Sequence, residues 1–284
     1  MRDNRTLALL REGKPAVGTW LQLHSPAAAR LLAAQGLFDW MLVDFEHTPV
    51  DLGVASLILS TVSDVSGGRV TPLARVAEGT AAAIKHALDG GAQGVIVPMV
   101  HDADEVRAAV RHARFPPEGE RGAGGLGPHL GFGVSRPEYV REANRQILVG
   151  VQIETAAALE NLNAILDVPG VDLCFLGPND LHLALGCAPR FWSAEPAFTR
   201  AVARIAAACA ARRIPLGTLC KDAASAQARI DEGFTFVGLG SDAHFMLTHG
   251  GAEAGALRRM PAPESWCDRV ALDGPPPPPP RASS

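Results

Sequence analysis

The chain contains no CxxC spacing, and its five cysteines, Cys174, Cys187, Cys209, Cys220 and Cys267, form an odd set. That excludes a disulfide framework or a thiolate metal site and makes a reducing cytoplasm the expected location. No apolar stretch approaches the ~20 residues of a membrane span, because Arg, Asp, Glu or His interrupts every hydrophobic run. The opening MRDNRTLALLREGK lacks the apolar core of a signal peptide. A formal net charge of -4 gives no basic field, so neither nucleic acid nor a membrane is an expected partner, and an anion must be held by local groups. No GxGxxG follows the first apolar run, so the dinucleotide fingerprint is missing. Lysine is scarce: Lys14, Lys85 and Lys221 are the full set, and only Lys221 follows a strand-like run, which leaves little scope for Schiff-base chemistry. A small polar molecule is the partner left by these exclusions.

What is present is 284 residues, 47% hydrophobic and 20% charged, a composition suited to one large globular domain. Residues 1–260 are read as that domain, and 261–284 as a C-terminal extension. Its end, GPPPPPPRASS, is expected to be disordered, because consecutive prolines lack amide donors and favour an extended form. Eight short apolar runs read as strands: 16–20, 40–45, 71–76, 94–100, 147–154, 171–177, 214–220 and 234–240. Ala-rich helical stretches separate them at 25–36, 50–63, 80–90, 102–114, 155–167, 195–213 and 222–232, several opening on a cap such as Ser25, Thr80, Asp102 or Asp222. Strands buried on both faces and alternating with helices predict an α/β fold, a (β/α)8 TIM barrel, with an open doubly wound sheet as the rival. The Gly- and Pro-rich run from 115 predicts a long loop, a candidate lid, followed by a helix from about Pro137. GCAPRFWSAE (186–195) is a second irregular excursion.

In such a barrel the chemistry sits at the C-terminal ends of the strands. Glu154 and Asp180 end successive strands and could meet as hard oxygen ligands for Mg2+ or Mn2+; alternatively each caps the helix that follows. Arg75 lies within an apolar run, where a guanidinium needs an anionic partner, either a carboxylate of the protein or one of a ligand. His47 follows two acids in DFEH, and an imidazole oriented by a carboxylate is the usual general base near neutral pH. Asp44 shares strand parity with Glu46 and is not assigned by position, while Asp89, at a helix end in ALDGG, reads as solvent-exposed.

DFEH, LARV, LDGGAQGVIVPMV, RFPPEGERG, VQIET and GPNDL occur in this order, and the chain thereby resembles the HpcH/HpaI family of metal-dependent pyruvate aldolases over roughly residues 15–245. The resemblance implies a TIM barrel of the phosphoenolpyruvate/pyruvate-binding type and a class II aldolase. Such an enzyme cleaves a 4-hydroxy-2-oxo acid reversibly to pyruvate and an aldehyde through a metal-bound pyruvate enolate. It implies that Glu154 and Asp180 hold the divalent metal, Mg2+ or Mn2+ with Co2+ or Zn2+ also compatible. It implies that Arg75 neutralises the enolate oxygen and that His47 is the base, paired with Asp44 and with Asp89 across a subunit boundary. It further implies that Gln152, Asn179 and the backbone at Gly177 and Pro178 position the pyruvate carboxylate, and that the assembly is a homo-hexamer, a trimer of dimers. The chain departs from the pattern in having Phe45 between the acids of DFEH, His182 after GPNDL, and His24 after the first strand; these either reshape the aldehyde pocket or simply cap and pack. Oxaloacetate decarboxylation, biosynthetic carbon–carbon coupling from the same enolate, and a non-catalytic binding barrel are the rival functions.

Overall fold

The computed structural model describes residues 2–124 and 131–257. The extension expected at 261–284 and Cys267 lie outside the described residues. Strands β1 (Ala16–Leu21), β2 (Trp40–Asp44), β3 (Thr71–Arg75), β4 (Gly94–Val97), β5 (Leu148–Ile153), β6 (Leu173–Leu176), β7 (Leu216–Cys220) and β8 (Phe236–Ser241) pair in parallel, each with the next. Pairing of β1 with β8 closes the barrel, with a register shift between Gly18 and Trp20, so the open sheet is excluded. Helix α1 (Arg5–Arg11) precedes the barrel. Helices α2 (Pro26–Gln35), α3 (Leu52–Val65), α4 (Ala81–Asp89) and α5 (Ala103–Ala113) follow the first four strands. Then come α6 (Arg136–Gln146), α7 (Ala156–Glu160), α8 (Leu162–Leu166), α9 (Pro178–Ala184), α10 (Pro196–Arg212), α11 (Ala223–Asp231) and α12 (Asp242–Ala256). No helix among the described residues is long and apolar enough to cross a membrane.

The caps read from the sequence are in place. Ser25, Thr80, Asp102 and Asp222 each accept backbone amides of the first turn of the helix they precede, satisfying donors that have no intrahelical partner. The sequence reading differs at four places. The helix expected over 155–167 is broken at Asn161 into α7 and α8. Helices α1, α9 and α12 carry no strong signal: α1 and α9 have seven residues each, and α12 contains Gly250, Gly251 and Gly255, which weaken helix propensity.

Two apolar layers hold the barrel. Between its wall and the helices lie residues such as Met41, Val43, Ile58, Val149, Ile153 and Phe198; inside it Trp20, Trp40, Leu42, Leu73, Phe175 and Phe236 interdigitate. Leu7 and Leu10 of α1 join the inner layer, while the Asn4 side chain donates to the carbonyls of Gln93 and Gln146. Helix α1 thus covers the N-terminal mouth and leaves the opposite end for chemistry. The Trp40 ring stacks on Phe236 with centroids 4.1 Å apart. It fits only because residue 18 is glycine: a Cβ on Gly18 would lie 2.0 Å from a Trp40 ring carbon. Gly18→Ala is therefore expected to destabilise the barrel by about 1–3 kcal/mol through overpacking, read as a lower urea midpoint at unchanged m-value.

Candidate active site

Parallel pairing of β2 with β3 sets Asp44 directly opposite Arg75. The contact is bidentate: Arg75 Nε donates to Asp44 Oδ1 at 2.9 Å and Nη2 to Oδ2 at 2.7 Å. The third guanidinium nitrogen, Nη1, lies 3.0 Å from Glu46 Oε2, and the flat face of the group covers the Trp20 ring at 4.4 Å. The anionic partner demanded by a buried arginine is thus supplied by the protein. Asp44 has a second task. Its Oδ1 accepts the backbone N–H of Glu46 at 3.1 Å and that of His47 at 3.4 Å, and its carbonyl accepts the Thr48 hydroxyl. One buried carboxylate therefore fixes both Arg75 and the turn bearing Glu46 and His47.

The next cluster comes from β5 and β6. Neither Glu154 nor Asp180 caps a helix: the cap of α7 is the Thr155 side chain, and α9 begins at Gly177 without a side-chain cap. Both carboxylates are free of that role. Glu154 is buried, accepts the Met99 backbone N–H at 2.9 Å through Oε1, and takes the Gln152 amide on Oε2. Met99 reaches it with a left-handed backbone, φ +52°. Gly177 gives Glu154 its space, since a Cβ there would lie 2.0 Å from Oε2. Gln152 Oε1, Asn179 Oδ1 and Trp20 Nε1 are buried without a hydrogen-bond partner, a costly state that a polar ligand would relieve.

His47 projects from its turn with its side chain 58% exposed and Nε2 3.9 Å from Glu46 Oε2. Asp89 is paired within the chain at 2.7 Å with Nη2 of Arg121, whose guanidinium packs over the Phe115 ring at 4.6 Å. His182 is buried, bonded through its ring nitrogens to the Pro178 carbonyl and the Ser193 hydroxyl and stacked on Phe198 at 3.9 Å; it packs. His24 has φ +50° and a buried, unpartnered Nε2. Glu46, named at the strand end but given no role by the sequence, proves to link Arg75 to His47. Arg121 lies inside RFPPEGERG with nothing in the residue order to mark its role, and neither Trp20 nor the Met99 amide carries a signal.

The profile of the HpcH/HpaI aldolase/citrate lyase family matches residues 16–248. The chain belongs to this family. A hydroxypyruvate/pyruvate aldolase of Paraburkholderia phytofirmans is 38% identical over 242 residues, 84% of this chain and 91% of that one. A 4-hydroxy-2-oxovalerate aldolase of Novosphingobium aromaticivorans is 38% identical over 277 residues, 95% of this chain and 97% of that one. The crystal structure of an HpcH/HpaI aldolase/citrate lyase family protein from Burkholderia cenocepacia superposes with a TM-score of 0.83 at 31% identity, over 90% of this chain and 99% of that one.

The acids of this HpcH/HpaI barrel share one field. Burial pushes Glu154 up to about 7 from its ordinary 4.5, against the hydrogen bonds of Gln152 and Met99 and reinforced by Glu46 and Asp180. Burial likewise pushes Glu46 up to about 7, against the pull of Arg75 and reinforced by Asp44 and Asp180. Carboxylates that raise one another in this way fit a hard divalent cation, which favours oxygen donors. No group of three or more His, Cys, Asp or Glu is close enough to cage an ion among the described residues. An ion here would keep positions for water and substrate oxygens. In protein stripped of divalent ions by chelation, the native state holds protons on Glu46 and Glu154 between about 4.5 and 7 that the unfolded chain has released. Stability therefore falls as pH rises through that window. Urea unfolding should show a lower midpoint at about pH 8 than at about pH 5.5, and Glu154→Gln should flatten the difference; equal pH dependence in both proteins would contradict burial of Glu154 as a cause. Asp44→Ala leaves Arg75 buried without its main partner and is expected to cost about 3–5 kcal/mol, measured by the same unfolding.

Proposed function

We propose that this HpcH/HpaI family member catalyses the reversible aldol cleavage of a 4-hydroxy-2-oxo acid to pyruvate and an aldehyde, with Mg2+ or Mn2+ as cofactor. The observation that carries the reading is the positioning of Arg75. Its guanidinium is locked by Asp44, beside acids whose raised affinity for protons marks a place suited to a divalent cation. Held by Glu154 and Asp180, that cation would supply Lewis acidity at the 2-oxo group.

The chain's own residues do the rest. His47 accepts the proton of the 4-hydroxyl, the C3–C4 bond breaks, C4–O becomes the aldehyde carbonyl, and the electron pair of the broken bond enters the enolate. Arg75 faces the oxygen on which that negative charge develops; because Asp44 has already fixed it, no reorganisation is needed as the charge forms. Proton return to C3 yields pyruvate, and condensation is the reverse. Glu46, between Arg75 and His47, shares the charge of this pair. Gln152, Asn179 and the backbone at Gly177 and Pro178 hold the pyruvate carboxylate. Asp89 serves His47 from a neighbouring subunit of a homo-hexamer built as a trimer of dimers. In support, each chain presents His47 largely exposed while its own Asp89 is engaged by Arg121.

The test is pyruvate release from 4-hydroxy-2-oxo acids, followed with lactate dehydrogenase. Chelation should abolish turnover and Mg2+ or Mn2+ should restore it; His47→Ala should lower kcat by about 10²–10⁴-fold with the fold intact. Turnover that survives chelation, or that is undiminished in His47→Ala, rejects the mechanism.

A further inference from the structure

Trp20 joins the inner aromatic layer to the charged mouth of the barrel. Parallel pairing sets Trp20 opposite Leu42, and Asp44 lies two residues further along β2 on the same face, so the indole enters the interior one layer beneath the Asp44–Arg75 pair. There the Arg75 guanidinium carbon stands 4.4 Å above the ring centroid, within the range of a cation–π contact. Both side chains are buried, so water does little to screen the attraction. The indole also leans on Phe175, with centroids 6.0 Å apart, and Phe175 meets Phe236 edge-on at 6.1 Å. A chain of packed rings thus backs the indole that carries the charge.

Two features give this ring more than a filling role. The bidentate contact with Asp44 fixes one edge of the guanidinium but leaves its plane free to tilt about that edge, and a ring beneath the face removes that freedom. The second feature is the Trp20 N–H. Trp40, another indole of the same layer, donates to the Ala16 carbonyl at 3.2 Å, whereas Trp20 Nε1 is buried without a partner, a cost that a phenyl ring filling the same floor would not carry. What the indole offers over a phenyl is a stronger attraction between its π face and a cation. A ring also adds this attraction without a negative charge, so it does not further neutralise a guanidinium that Asp44 and Glu46 already flank. We propose that Trp20 is a positioning residue for Arg75: through a cation–π contact it holds the guanidinium plane at the tilt from which its remaining N–H groups meet the enolate oxygen. The inference rests on the aldolase reading above and adds to it a residue that acts through Arg75.

Exchange of the pyruvate methyl group in D2O isolates the enolate from any aldehyde: a C3 proton leaves to a base and a solvent deuteron returns to the same carbon, read by mass spectrometry. Full-length wild type with Mg2+ is compared with Trp20→Leu, Trp20→Phe and protein carrying mono-, di- or trifluorinated tryptophan at position 20, with melting temperatures to show that each is folded. Fluorine withdraws charge from the π face at nearly constant shape. The exchange rate at saturating pyruvate should fall stepwise with each fluorine, reaching a loss of roughly tenfold, about that of one desolvated cation–π contact. Trp20→Leu should lose roughly tenfold or more and Trp20→Phe about threefold, while KM for pyruvate moves by less than about twofold. A rate that stays flat across the fluorine series, even where Trp20→Leu is slow, leaves Trp20 as filling; the role is then wrong and the aldolase reading stands. A fluorine series that raises KM at constant rate sets the ring against the substrate and likewise rejects the role. Wild type that exchanges no methyl proton under any divalent cation rejects the aldolase reading, and this role with it.

Discussion

The pair between Asp44 and Arg75 is the constraint around which the rest of the barrel mouth is arranged. A guanidinium inside an apolar strand carries a heavy desolvation cost, and bidentate geometry is one of the few arrangements that offsets it. Because β2 and β3 set the two residues opposite each other, the pair is completed by the same backbone hydrogen bonds that close the sheet. The carboxylate is then used again, on the amides of Glu46 and His47. The aim of the buried guanidinium and the path of the turn that bears Glu46 and His47 therefore depend on one side chain.

Around this pair the architecture divides labour between faces. Helix α1 and the inner aromatic layer fill the N-terminal half of the barrel, where Gly18 admits Trp40. At the other end, side chains give way to polar atoms. Gly177 removes bulk beside Glu154, and Gln152 and Asn179 each present a buried oxygen without a partner. Apolar packing fills one end, and at the other lie acids that raise one another's affinity for protons.

Much of this was legible in the residues. Parallel strands covered on both faces appear as apolar runs, and all eight were found; Arg75 stood out as a lone charge within one of them. Thr155, next to Glu154, is the better helix cap and takes that place, which leaves the Glu154 carboxylate free. Pairings that depend on distant loops were not legible. Arg121 lies 32 residues from Asp89, in a Gly- and Pro-rich segment with no periodicity to orient it. Nor could residue order say that Asp44 would turn to Arg75 and to two amides rather than to the His47 ring; that choice is made by strand register. Short α1 and α9 carry no signal because tertiary packing, not local propensity, makes them helical, while α12 is held at its start by the Ser241 cap and buried Asp242 and is exposed beyond.

Met99 shows how information can sit in the main chain. Its amide, aimed by a left-handed φ that costs a non-glycine residue roughly 1–2 kcal/mol, is the donor that holds Glu154, while its side chain is 46% exposed. Two homologues could differ completely at this position and still share the donor. A side-chain scan would register silence there, and a substitution table would score the site as neutral. What residue 99 supplies is a dihedral angle, a trait that its letter does not record.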